Sequence, residues 1–336
     1  MNDIAVTDYH TAGEPFRIVT SGAPEIGGTT VLERREFART DPAVDGARRF
    51  LVNEPRGHAD MYGCFVVPPD DGDAAFGALF WHKDGFSAAC GHGTIALGTW
   101  AVESGMIEAA SDGQTDVVID VPSGRVTARV TCSGGQVAAV SFRNVPSYVV
   151  ARGVEVVTSW GPVRADIGYG GCAYACVPAS AAGLEVRPEH YPALISAGRE
   201  IKWALDGTVW AEHPSDPRLS GIYGTILFDD LGDGENGPQQ RNVTIFADGE
   251  VDRSPCGSGT SARLALLADE GRLAPGQILT HLSIVGTQFL GRVTETVTAE
   301  GRAAVITEVE GNAYRTGQGV FSLDPRDPLG SGFVLR

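Results

Sequence analysis

The sequence predicts an α+β chain built as two similar halves. The first observation is a repeated motif. Cys90-Gly91-His92-Gly93-Thr94 recurs as Cys256-Gly257-Ser258-Gly259-Thr260, and each copy opens an apolar run of helical character. Each run stops at a glycine fifteen residues on, Gly105 and Gly271, with Glu103 and Glu270 just before it. The second is a matching pair downstream, Gly124-Arg125-Val126-Thr127 and Gly291-Arg292-Val293-Thr294. Self-similarity at this spacing marks duplicated architecture. The third is the element mix. Many short strand-like segments and few long helices argue against regular strand–helix alternation. The repeat offset alone places the join near 145–150, giving halves 1–147 and 148–336. The C-terminal tail is a candidate to pack back on the first half.

The elements follow in order. Residues 4–8 and 16–20 read as strands, with the polar turn His10-Thr11-Ala12-Gly13-Glu14-Pro15 between them. Apolar spacing from Thr30 to Val52 predicts a helix broken near Pro42. Asn53 to His58 is a loop that suits either a site or a buried polar brace. Segments 62–67 and 75–81 read as a strand pair joined by an acidic turn. A helix over 92–104 follows Cys90, then strands at 116–121, 125–131 and 137–142. The second half carries strands near 147–151, 153–157, 162–166 and 172–177. A helix runs from Arg187-Pro188 to Leu205. Strands near 221–228 and 242–247 lead to the second cysteine and a helix over 259–270. Strands at 278–285, 291–298 and 303–310 precede a coil tail from Asp324 to Arg336.

Composition excludes several classes. The chain has 336 residues, of which 43% are hydrophobic, enough for two domains and a sizeable core. A net charge of -16 and a pI near 4.8 argue against nucleic acid or an anionic membrane as partner. A small anionic substrate must therefore be held by local amides. Met1-Asn2-Asp3-Ile4 does not begin a signal peptide, and no apolar stretch is long enough to span a bilayer, so the cytoplasm is the expectation. The six cysteines are scattered, with no Cys-x-x-Cys pair, and the seven histidines do not cluster with them. That pattern suits neither a disulfide framework nor structural zinc. Cys64, Cys132, Cys172 and Cys176 lie in strand-like apolar runs and read as small buried hydrophobes.

Cys90 and Cys256 are different because of their position. The first amides of a helix lack intrahelical partners, and the helix dipole adds positive charge there. A cysteine at that point is biased toward thiolate. The glycines let the backbone approach a ligand, so the amides of Gly91, His92, Gly257 and Ser258 are candidates to hold a carboxylate. Two such thiols facing one cleft supply two bases to one substrate. One removes a proton and the other returns one to the far face. That is the chemistry of cofactor-independent inversion.

With Asp252-Arg253-Ser254-Pro255 before the second motif, Glu54-Pro55-Arg56-Gly57-His58 and the turn at His10, these motifs resemble the proline racemase superfamily across nearly the whole chain. The family contains proline racemases, 4-hydroxyproline 2-epimerases and trans-3-hydroxy-L-proline dehydratases of amino-acid metabolism. The resemblance implies two halves of the diaminopimelate epimerase-like fold, each with strands about a central helix. It implies an active site in the cleft between them and no metal or organic cofactor. It assigns Cys90 and Cys256 as acid/base pair and Asp252 and His92 to the substrate ring nitrogen. Gly91, His92, Gly257 and Ser258 form its carboxylate cradle, and Tyr62 and Phe246 its ring contacts. Ser258 stands where threonine is common. Local readings compete with these: a loop residue for His92, a turn cap for Asp252, core packing for Tyr62 and Phe246. His10, Glu54 and His58 receive no step.

Both thiols are present, as inversion requires, so the expected activity is racemase or epimerase on proline or a hydroxyproline. The surrounding sequence, including Ala59 to Gly63, Ile222 to Leu227 and Asp327 to Phe333, looks most like the dehydratases. Many of those carry Thr or Ser where Cys256 stands. Dehydration is therefore the alternative, and the two share their first step. A redox-sensitive amino-acid-binding protein is the reading from another class. A homodimer is left open.

Overall fold

The computed structural model describes residues 3–335. Met1 and Asn2 of the N-terminal reading, and Arg336 of the tail, lie outside the described residues. The chain divides into two compact units: residues 1–140 with 312–336, and residues 141–311.

The first unit opens with β1 (Ile4–Thr11) and β2 (Glu14–Ser21). Their antiparallel pairing takes up most of the turn expected at His10 to Pro15. Only Ala12 and Gly13 connect the strands, both at positive φ (52° and 98°). That conformation suits a two-residue hairpin. Next come α1 (Val31–Thr40) and α2 (Pro42–Val52). Asp41 caps the second helix by accepting from the Ala43 and Val44 amides, so the break near Pro42 is a cap with proline at the first helical position. The unit continues through β3 (Gly63–Val67), β4 (Phe76–His82), β5 (Gly85–Phe86), α3 (Gly91–Glu103), β6 (Gly113–Val121) and β7 (Gly124–Ser133). β8 (Gln136–Arg143) straddles the division.

In the second unit are β9 (Ser147–Thr158), β10 (Gly161–Tyr169), β11 (Ala173–Pro178), α4 (Tyr191–Leu205), β12 (Ile222–Gly234), β13 (Gly237–Phe246) and β14 (Glu250–Asp252). α5 (Gly257–Asp269), β15 (Leu279–Ser283), β16 (Gln288–Ala299) and β17 (Arg302–Gly311) complete it. β18 (Ala313–Phe321) belongs to the first unit.

The duplication read from sequence reappears as connectivity. In the first unit β1–β2 is antiparallel, β2–β3 parallel, β3–β4 antiparallel, β4–β6 parallel and β6–β7 antiparallel. In the second, β10–β11, β11–β12, β12–β13, β13–β15 and β15–β16 repeat that order of senses. There β16 pairs with β17, β17 with β9, and β9 with β10, so the strands close on themselves.

Each unit has a central helix. α3 touches β1, β2, β6, β7 and β18, while α5 touches β9, β10, β11, β16 and β17. Both are buried on nearly all sides, as expected for helices that lack one polar face. Glycine permits the close approach. A Cβ on Gly98 would sit 2.7 Å from the Ala128 Cβ, and one on Gly170 would reach 2.3 Å from the Ser258 carbonyl oxygen.

Several boundaries differ from the sequence reading. Segments 147–151 and 153–157 form one strand, β9, with Gly153 at φ 57° absorbing the irregularity. The helix from Pro188 begins as a 3-10 turn, and its α portion starts at Tyr191. β18 was not expected at all, because its sequence, AYRTGQGVF, lacks an apolar pattern and is mostly exposed. Its antiparallel pairing with β1 carries residues 312–336 into the first unit. The unit boundary therefore falls at 140/141 and 311/312, in place of 147/148. The repeat offset could not detect a strand that returns from the far end of the chain.

The loop at Asn53 to His58 is a brace. The Arg56 guanidinium donates to the carbonyls of Phe50 (2.8 Å) and Gly330, and lies 3.9 Å from the Phe50 ring centroid. Arg17 donates to the Arg56 carbonyl at 2.8 Å. Among the described residues no helix is long and apolar enough to cross a membrane.

Candidate active site

Cys90 is the N-cap of α3, in extended conformation and 4% exposed. Its Sγ accepts from the Gly93 amide at 3.2 Å, and both His92 ring nitrogens lie 3.5 Å from it. Thr94 Oγ1 donates to the Cys90 carbonyl at 2.8 Å, and Thr11 Oγ1 to the His92 carbonyl at 3.0 Å. Gly91 and His92 occupy the first two helical positions, where amides have no intrahelical acceptor. Tyr62 immediately precedes β3. Its hydroxyl meets Ser87 Oγ, and its ring stands edge-on to His92 at 5.0 Å. Phe16 meets the same imidazole edge at 5.7 Å. A side chain on Gly93 has no room: its Cβ would lie 2.5 Å from Phe16 and 2.8 Å from the Cys90 sulfur.

Cys256 is the N-cap of α5, 5% exposed, but at φ 62°. A non-glycine residue there carries backbone strain, which persists only where surrounding structure imposes it. Two interactions do so here. Ser254 Oγ accepts from the Cys256 amide at 3.0 Å, and Asn242 Nδ2 donates to the Pro255 carbonyl at 2.8 Å. Asp252, at the end of β14, accepts from the Ser254 amide (2.8 Å) and hydroxyl (2.7 Å). Thr260 Oγ1 bonds His281 Nδ1 at 2.8 Å beneath the loop.

Tyr174 on β11 joins this constellation. Its hydroxyl meets Ser258 Oγ at 2.6 Å and accepts from the Cys256 thiol at 3.8 Å. Burial pushes the Cys256 thiol well above its ordinary range, and the Asp252 carboxylate adds to the shift. The Gly259 amide and the Tyr174 and Thr244 hydroxyls pull it back down. Tyr174 is itself raised well above ordinary phenol by burial. The ring of Tyr223 stands between two aromatics. It stacks on Phe246 at 5.6 Å with planes 9° apart, and meets Tyr174 at 71°.

The first unit thus assembles Cys90, Gly91, His92 and Tyr62. The second assembles Cys256, Gly257, Ser258 and Asp252, with Phe246 joined through Tyr223. Sequence reading missed Phe16, Thr11, Ser87, Tyr174, Tyr223 and Ser254. One signal was available for Tyr223. Tyr62-Gly63 and Tyr223-Gly224 are a further repeated pair at a strand start, and a Cβ on either glycine would collide with neighbouring backbone. Tyr174 and Phe16 have no local signature. The other four cysteines, Cys64, Cys132, Cys172 and Cys176, are buried thiols. Burial raises Cys64 strongly and pushes Cys176 up to about 12, which suits inert packing.

The chain is similar to known proteins over nearly its whole length. The sequence profile for proline racemase matches residues 6–334. The chain is 44% identical over 328 residues to a trans-3-hydroxy-L-proline dehydratase of Bacillus cereus, covering 98% of this chain and 97% of that one. It is 45% identical over 334 residues to a 3-hydroxyproline 2-epimerase of Burkholderia multivorans, covering 99% and 98%. A crystal structure of a hydroxyproline epimerase from Agrobacterium vitis, with bound trans-4-hydroxy-L-proline, superposes with a TM-score of 0.92 at 34% identity. That match covers 99% of this chain and 96% of the other.

Proposed function

Because the chain belongs to the proline racemase family, we propose that it inverts the α-carbon of a hydroxyproline, with Cys90 and Cys256 as the two acid/base groups. The observation that carries this reading is the presence of two buried thiols, each the N-cap of a central helix. Removal of the α-proton is difficult because charge develops beside a carboxylate. Fixed amides at two helix starts, those of Gly91, His92, Gly257 and Ser258, offset that charge without reorganising. Asp252 and His92 hold the ring ammonium, which further acidifies the α-carbon. Tyr62 and Phe246 flank the ring.

The roles of the thiols follow from their surroundings. Cys90 Sγ accepts an amide hydrogen bond and has an imidazole beside it, so it acts as the resting base. Cys256, raised by burial and by Asp252, is the resting acid. Cys90 takes the α-proton, Cys256 delivers its own to the opposite face, and the pair is left reversed. One thiolate and one thiol are required, so activity falls at both extremes of pH.

A second reading rests on the relatives named as dehydratases. After the same α-proton abstraction, a 3-hydroxyl leaves as water and the resulting enamine becomes a cyclic imine. Proton NMR in deuterated water, run separately on L-proline, trans-4-hydroxy-L-proline and trans-3-hydroxy-L-proline, separates the two. Loss of the α-proton with growth of the opposite configuration is the expected result. Imine formation from the 3-hydroxy substrate alone, with no inversion of any ring, would replace inversion with dehydration. No exchange on any of the three would refute both.

A further inference from the structure

The second unit holds a cavity of about 590 Å³ that the chemistry above does not use. Its volume is within the range of small-molecule sites. The wall includes Arg263, seven residues beyond Cys256 on α5, so about two turns and ~10 Å along the helix from the thiol.

Arg263 is 3% exposed. Its Nε donates to Gln240 Oε1 at 2.9 Å, and its guanidinium carbon lies 4.2 Å from the Phe228 ring centroid. Among the described residues its two terminal nitrogens have no acceptor and its charge has no ion-pair partner. Burial lowers its affinity for the proton, yet a guanidinium remains charged at neutral pH. Glu270 and Asp166 favour that charge without pairing with it, so the terminal N–H groups of this buried cation keep no hydrogen-bond acceptor among the described residues.

The acids around the cavity are already engaged. Asp166 accepts from Arg152 (3.0 Å) and the Gly153 amide (2.8 Å), and Glu270 pairs with Arg152 as well. Asp230 pairs with Arg272 at 2.6 Å. Asp229 accepts from the Val186 amide at 2.8 Å. Arg164, exposed at the rim, has no ion-pair partner among the described residues. Among the described residues Asp229 has no ion-pair partner, and Asp166, Asp269 and Glu270 share Arg152, so the wall carries no excess of positive charge; its open hydrogen-bond donors are the terminal N–H groups of Arg263 and the Arg164 guanidinium at the rim.

We propose that this cavity binds a small oxyanion, a carboxylate or phosphate group, with Arg263 as the buried anchor and Arg164 as the rim contact. A planar guanidinium with two open N–H edges suits bidentate recognition of such a group.

The test is calorimetric titration of the whole protein with inorganic phosphate and, separately, with succinate. Saturable binding of at least one is expected, and the tighter of the two identifies the source of the group. Arg263→Met should weaken that binding at least ~10-fold, the scale of a charged hydrogen-bonding pair. Should that variant fail to fold, Arg164→Gln alters only an exposed side chain and should weaken binding ~3-fold. Cys256→Ser should leave the affinity unchanged. Absence of saturable binding by either anion would overturn the proposal. So would binding that Arg263→Met or Arg164→Gln leaves intact, since the anion would then sit elsewhere, the helix starts included.

Discussion

Replacing Tyr174 with Phe removes one oxygen from the second thiol loop and nothing else. That oxygen meets Ser258 Oγ at 2.6 Å and the Cys256 thiol at 3.8 Å, in a fully buried setting. Leaving the buried Ser258 hydroxyl short of a partner costs ~1.5 kcal/mol, which corresponds to a loss of ~3–6 °C in Tm. The catalytic effect has a definite sign. The Tyr174 hydroxyl lowers the Cys256 pKa against burial and Asp252. Without it the thiol holds its proton more tightly. A weak hydrogen bond to sulfur of ~0.7 kcal/mol equals ~0.5 pH unit. The alkaline limb of the pH–rate profile, which reports loss of the remaining thiol proton, should move up by that amount. At neutral pH, kcat/KM should fall by the same factor in both directions of inversion, because the equilibrium between enantiomeric centres is fixed by the substrates. The assay is polarimetry or NMR exchange across pH 6–10 on wild type and Tyr174→Phe. An alkaline limb that stays in place, with kcat/KM within twofold of wild type, would refute the role given to this hydroxyl.

Three further outcomes are expected. Cys256→Ser should abolish inversion while leaving α-proton exchange at the Cys90 face measurable by deuterium uptake; retained full inversion would end the two-thiol reading, whereas surviving dehydration of 3-hydroxyproline would favour the second one. Gly93→Ala places a methyl 2.5 Å from Phe16 and 2.8 Å from the Cys90 sulfur, so turnover should drop ~100-fold or more through displacement of the thiol; a variant with wild-type kinetics would show that the thiol position is not critical. His281 is depressed to about 3, by burial first and then by Arg263. Its unfolded form takes up a proton below pH 6.5 while the folded form does not, so stability present above that pH is lost as pH falls toward 3, at about 1.4 kcal/mol per unit. Thermal melts from pH 7 to 4 should show this slope, and His281→Asn should flatten it. An equal slope in both proteins would place the acid sensitivity in other groups.

Periodicity and end signals, being local, were legible without coordinates. The helix break at Pro42 was readable because Asp41 and Pro42 form a cap and a first-turn proline in adjacent positions. The helices after Cys90 and Cys256 were readable because glycine-rich starts lead into apolar runs that end at glycine. The duplication was readable because it repeats motif and spacing together, and the repeated strand senses match it. The candidate residues at the two helix starts came from the same motifs.

Other features depend on contacts distant in sequence. β18 has no strand-like pattern of its own; it exists because β1 offers an open edge, and this decides where residues 312–336 belong. The left-handed backbone of Cys256 is imposed by Ser254 and Asn242, which residue type alone does not announce. Tyr174 lies 82 positions before Cys256 and reads locally as a core aromatic. Arg263 reads as an ordinary helical arginine until Gln240 and Phe228 are seen to be its nearest company and the neighbouring acids are seen to be bound to other partners. The sequence alone determined the fold class, the repeated thiol helices and the type of chemistry they suit. Only the tertiary structure decided the unit boundaries, the hydroxyls that tune Cys256 and the cavity onto which a buried arginine opens, because pairing and desolvation are properties of neighbours in space.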